Sequence, residues 1–184
     1  MSRFLHIKLL LSVLFFISII PQPASAAMSE YTVKAVFLER FARFIQWPAE
    51  TNVNNPDKPF VIGVIGDNPF GPVLEQLYQK RRIKNKEVEI RYINRIEEIN
   101  GSNILFISSS CKDNLEEIIR ALQGRPILTV ADSKGFSKAN IHINLYSPRK
   151  EIPFQINPAA LRSSGLRVDY RLLVLAGIKK KPGQ

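Results

Sequence analysis

Between residues 30 and 46 the segment EYTVKAVFLERFARFIQ repeats its apolar positions with the period of an α-helix. Tyr31, Val33, Val36, Phe37, Phe41, Phe44 and Ile45 form the stripe, while Lys34, Glu39, Arg40 and Arg43 mostly fall outside it. Trp47-Pro48 ends the helix, because the residue before a proline is driven out of the helical region. A polar, proline-rich loop spans 49–59 and gives way to FVIGVI at 60–65, a continuous apolar run of strand length. The pattern then alternates. A helix over 69–79 carries Val73, Leu74, Leu77 and Tyr78, and Lys80-Arg81-Arg82 stands where cations oppose the helix dipole favourably. A strand at 88–93, a helical turn at 95–99 and a strand at 104–108 follow.

Ser110 is the expected N-cap of a helix over 112–122 that Gly124 closes. A fourth strand covers 126–131, ahead of the turn Asp132-Ser133-Lys134-Gly135. Segments 141–145 and 152–156 alternate and are expected to pair antiparallel. Asn157-Pro158 reads as an N-cap with proline at the first helical position, opening a short helix that Gly165 closes. Asp169 caps a last helix over 170–178. Strands alternating with helices through residue 131 imply an α/β fold. The expected architecture is a single three-layer domain: a mainly parallel sheet, helices on both faces, and an antiparallel edge pair.

The first 26 residues stand apart from this pattern. Arg3 and Lys8 precede a largely apolar run from Leu9 to Ile20, and Ala24-Ser25-Ala26 follows a Pro-Gln-Pro break. This is the layout of a secretory signal peptide cleaved near Ala26, leaving one exported domain over 27–184. The apolar run is too short for a helical span, and no membrane span is expected in the mature chain. The segment removes two basic and no acidic residues, so the net charge of +10 becomes +8, favouring acidic partners. Export argues against nucleic acid. Cys111 is the only cysteine, so the core must hold without a disulfide. The thiol is expected to be buried, with an intermolecular bridge as the other option.

The stretch GVIGDNPFG at 63–71 tests for a nucleotide enzyme. Gly66 and Gly71 have P-loop spacing, but Pro72 and Val73 occupy the places of Lys and Ser/Thr. Gly63 and Gly66 supply only G-x-x-G, short of the dinucleotide fingerprint. The glycines read as turn formers. His142, flanked by two isoleucines in a strand, is expected to be structural, either solvent-facing or at a strand edge. One His and one Cys lack zinc-ligand spacing, and Ser108-Ser109-Ser110 has no recognisable base. Asp67 and Asp132 each lie beyond a strand, at the carboxyl edge where α/β sheets place ligands. Turn and cap roles are preferred to a catalytic pair. Arg43, Arg162 and Arg167 are the candidate ligand-binding residues, since arginine suits carboxylate or phosphate. No enzyme, metal or cofactor is expected.

Six segments in order carry a resemblance: YTVKAVFLERFARFIQWP, FVIGVIGDNPFGPVLEQL, ILFISSS, GRPILTVADSKGF, INLY and IPFQINPAALRSSGLRV…LLVLA. Together they resemble the YfiR-like family over about residues 31 to 177. The resemblance implies a small periplasmic α/β protein that forms homodimers and catalyses nothing itself. It further implies a repressor that binds the periplasmic sensor domain of an inner-membrane diguanylate cyclase, lowering cyclic-di-GMP and biofilm formation. A sensor kinase as the partner, or a small anionic ligand, are the alternatives. An exposed apolar patch around Trp47 and Phe136 is the expected contact surface for the partner. The well-studied member is tuned by disulfides; with Cys111 alone, no intramolecular disulfide switch is available here.

Overall fold

The computed structural model describes residues 29–146 and 154–178. The expected signal segment and the start of the 152–156 strand lie outside the described residues. Five α-helices and eight strands are described: α1 Glu30–Phe44, β1 Ile45–Gln46, β2 Phe60–Ile65, α2 Val73–Tyr78, β3 Val88–Ile93, β4 Ile104–Ile107, α3 Leu115–Leu122, β5 Leu128–Ala131, β6 Ile143–Asn144, β7 Gln155–Ile156, α4 Pro158–Ser163, β8 Arg167–Val168 and α5 Tyr170–Leu175. The main sheet has the order β3-β2-β4-β5-β6-β7. Its first five strands are parallel, and β7 runs antiparallel to β6 at one edge. This is the α/β architecture expected from the alternating pattern.

Both faces of the sheet are covered. Phe60, Ile62, Val64, Ile104, Phe106, Leu128, Val130 and Ile143 share a core with Leu38, Phe41 and Ala42 of α1, Leu74 of α2, Leu161 of α4 and Leu172 of α5. The alternate positions Ile65, Leu105, Ile107 and Ala131 pack against Leu115, Ile118 and Leu122 of α3 and against Ile99. Phe41, Phe60, Phe106 and Phe154 are fully buried, each worth roughly 1.5–3 kcal/mol relative to exposure.

Several local expectations shift. α1 ends at Phe44 rather than 46, because Ile45 and Gln46 pair antiparallel with Val168 and Arg167 in a separate two-stranded ribbon. α2 starts at Val73, after the turn that contains Gly71, and ends at Tyr78. Residues 109–114 form a 3-10 turn ahead of α3, so Ser110 caps no helix. Asn157 and Asp169 do cap theirs, accepting from Ala160 N–H and Arg171 N–H. The last helix stops at Leu175, not 178.

The polar loop 49–59 is held by an unexpected device. Buried Lys86 donates from Nζ to the carbonyl oxygens of Asn52, Val53 and Asn55. Burial pulls its pKa down, partly offset by Asp57.

Candidate functional site

Order reverses in the sheet at β2 and β4, since β2 connects outward to β3 on one side and β4 leads to β5 on the other. The crevice outside the carboxyl ends of such strands is the usual ligand position. Here the loops after β2 and β4 bond to each other. The N–H of Asp67 donates to Ser110 Oγ at 2.8 Å, and the Cys111 thiol donates to the Ile65 carbonyl at 3.4 Å. Gly66 adopts φ +86°, and a Cβ there would lie 2.5 Å from Ser110 Oγ and 2.6 Å from Cys111 Sγ. The stretch 63–71 is thus a tight corner, with Gly71 also at positive φ. Cys111 is buried as expected, and burial pushes its thiol pKa up.

The two aspartates have different fates. Asp132, after β5, has a side chain only 6% exposed. Its Oδ2 accepts from Lys34 Nζ at 2.7 Å and from the Tyr31 hydroxyl at 3.0 Å, joining α1 to the sheet. Lys34 also pairs with Glu30 and lies 4.4 Å from the centroid of the Tyr31 ring. Burial pulls the Lys34 pKa down, but hydrogen bonds to Asp132 and Glu30 outweigh it and the net shift is upward. Burial and the Asp132 hydrogen bond raise Tyr31. Asp67 keeps an exposed carboxylate. Asp132 therefore fastens a helix.

His142 is buried, not solvent-facing, at 5% exposure. Its Nδ1 accepts from the Thr129 backbone N–H at 3.0 Å, leaving the proton on Nε2 to donate to Ser164 Oγ at 3.1 Å. Ser164 Oγ in turn lies 3.0 Å from the Leu161 carbonyl. Burial lowers the His142 pKa to about 4, against a smaller upward effect from the Ala160 backbone. The isoleucines at 141 and 143 are both buried as well. That apolar neighbourhood was the sequence signal for burial, and β6 is too short for the alternation that suggested a solvent face.

A cleft of about 700 Å³ opens beside this network, between α3 and α4. Arg120, Gln123, Asn140 and Ser163 line it together with Thr129, His142 and Ser164. None of the three arginines expected at a ligand site lines it.

Those arginines are exposed. Arg43 pairs with Glu39, which Arg81 also reaches at 3.3 Å. Arg167 stands opposite Gln46 in the β1–β8 ribbon, placing it near the end of α1 that carries Arg43. Arg162 lies in the last turn of α4. The ribbon brings the Arg43 and Arg167 segments together; no described acid links either to Arg162.

The expected apolar patch is corrected. Trp47 is 8% exposed and packs edge-on against Phe60, in the core on one side of the sheet. Phe136 is 4% exposed and belongs to the core on the other side. Both rings satisfy the fold's own cores, so neither builds an exposed patch and they share no surface. Tyr31, Lys34, Thr129 and Ser164 were not among the expected site residues. Tyr31 and Lys34 reach Asp132 across 101 and 98 residues, and Thr129 and Ser164 reach His142 across 13 and 22, separations that no local spacing announces.

Fold and polar groups together define a three-layer α/β domain whose histidine and buried aspartate are committed to holding elements in place. The chain matches the YfiR/HmsC-like family model over residues 31–177 and belongs to that family. No curated protein matches the chain. At the family level this makes it a periplasmic regulator in diguanylate cyclase signalling, a regulatory rather than catalytic class. No helix among the described residues is long and apolar enough to cross a membrane.

Proposed function

We propose that the protein is exported, loses its signal peptide near Ala26, and acts as a homodimer that binds and inhibits the periplasmic sensor domain of an inner-membrane diguanylate cyclase. The family match across the domain carries this reading. It is supported by the commitment of Asp132 to Lys34 and Tyr31, and of His142 to Thr129 and Ser164, both structural uses of groups a catalyst would need. With Trp47 and Phe136 buried, the contact falls to exposed arginines: Arg43, Arg162 and Arg167 meet an acidic face of the sensor domain. The test is a pull-down from membranes with tagged mature protein, alongside cellular cyclic-di-GMP. The wild-type protein captures a cyclase and lowers cyclic-di-GMP; reversal of the three arginines to glutamate releases both effects. Capture of a sensor kinase instead moves the regulator to that partner.

A second reading rests on the cleft lined by Arg120 and Asn140, which has the volume of a small-molecule site. It takes a small anionic ligand as the inducing signal. A ligand at 100 times its dissociation constant stabilises the protein by about 2.7 kcal/mol, so a thermal-shift screen of anionic metabolites detects it, and a flat screen disposes of it.

A further inference from the structure

The homodimer in the reading above has no surface assigned to it; β3 supplies one. Val88–Ile93 is the outermost strand of the main sheet, paired with β2 alone among the described residues. The bond from Phe60 N–H to the Glu87 carbonyl, with the in-step parallel register, fixes the direction of every backbone group along the strand. Residues 87, 89, 91 and 93 turn their N–H and C=O groups inward to β2. Val88, Ile90 and Tyr92 turn theirs outward, where no described strand meets them. An edge six residues long with open donors and acceptors is a template for another strand.

The side chains say which strand. The sequence VEIRYI is complementary to itself when two copies run antiparallel with the two-fold axis at Ile90. Val88 then lies opposite Tyr92, Glu89 opposite Arg91, and Ile90 opposite its own copy. Backbone and side chains agree on this register. Ile90, whose groups point outward, falls at a pair that exchanges both hydrogen bonds. Glu89 and Arg91 fall at the intervening narrow pairs, where opposed side chains are closest. Both charged side chains stand half-exposed on the same face, at 42% and 39%, and within one chain they already lie 2.5 Å apart. On the other face, Val88 and Ile90 pack on the core and Tyr92 donates to Glu75, leaving the backbone edge clear.

We propose that two copies of this chain join edge to edge through β3, with Ile90 on the two-fold axis, making one continuous sheet from the two main sheets. Glu89 and Arg91 select the antiparallel register by pairing across the axis. A parallel in-register pairing sets Glu89 beside Glu89 and Arg91 beside Arg91. A shift of one residue opposes the outward N–H and C=O groups with residues whose own groups turn to β2.

The experiment uses sedimentation equilibrium of the mature protein with two single charge reversals, Glu89→Arg and Arg91→Glu, Trp47 fluorescence confirming that each is folded. The wild type is dimeric. Each reversal places two like-charged pairs across the axis and weakens self-association roughly tenfold or more. An equimolar mixture of the two variants regains it, since a strand with arginine at both positions then faces a strand with glutamate at both. The ion pair within each strand cannot be restored by mixing, which separates the interface from the fold. Dimers that ignore both reversals, or variants that fail to pair when mixed, overturn the edge-to-edge assignment while leaving a homodimer through another surface. A wild-type protein that stays monomeric overturns the homodimer as well.

Discussion

His142 and Thr129 hold each other by two hydrogen bonds: Thr129 backbone N–H donates to the imidazole Nδ1 at 3.0 Å, and His142 backbone N–H donates to the Thr129 hydroxyl oxygen at 2.9 Å. The ring must be neutral at Nδ1 to accept. Protonation breaks the first bond and buries a charge.

Stability therefore falls in mild acid. The native imidazole titrates near 4 and the unfolded one near 6.5, so between these values the unfolded chain binds the extra proton. The His142 contribution is fully present above about pH 6.5 and lost progressively as pH falls toward 4. Urea denaturation should show a loss of about 2 kcal/mol between about pH 7 and pH 5. His142→Gln should flatten that difference, and an equally steep profile in the variant assigns the effect elsewhere.

Breaking the junction at Asp132 should be costly. Asp132→Ala leaves the Lys34 ammonium, whose side chain is 12% exposed, with only the solvent-exposed Glu30 as an acidic partner, at a cost of about 2 kcal/mol. The double variant Lys34→Met, Asp132→Leu removes both charges and should recover most of the loss. Equal stability of single and double variants in denaturant titrations contradicts a coupled pair.

At the 63–71 corner, Gly66→Ala combines a positive φ with contacts of 2.5 and 2.6 Å to Ser110 and Cys111. We expect roughly 2 kcal/mol or more of destabilisation. A melting temperature unchanged by the substitution would show that the two loops yield easily.

Cys111 should be inert in the native protein. Its thiol is buried, donates to Ile65, and has its pKa pushed up by desolvation. A thiol reagent should modify it at least about tenfold more slowly in buffer than in guanidinium. Prompt labelling of the folded protein, or a reducible dimer on a gel, rules this out and revives the intermolecular disulfide.

Local signals carried much of the fold. The six-residue strands β2 and β3 fall where the apolar runs place them, and Asn157 and Asp169 cap helices as their positions suggest. The ribbon was invisible because Ile45 continues the helical stripe of α1; only the distant partners of Ile45 and Gln46 make them strand. Ser110 looks like a cap locally, yet its oxygen is taken by Asp67 from another loop. Site residues were harder still. Trp47 and Phe136 were expected at the surface because a partner-binding protein needs a contact face, whereas each has a core to fill. Charge alone marked Arg43, Arg162 and Arg167; it gives no relative placement.

The β1–β8 ribbon joins positions more than a hundred residues apart, Ile45 with Val168. A chain emerging from its amino end cannot close the domain until nearly all of it has been delivered. Such remote closure slows folding, and truncation before residue 167 removes the latch for α1. Assembly is thus gated by the last segment, so nascent or clipped chains leave α1 unlatched and offer partners an incomplete surface.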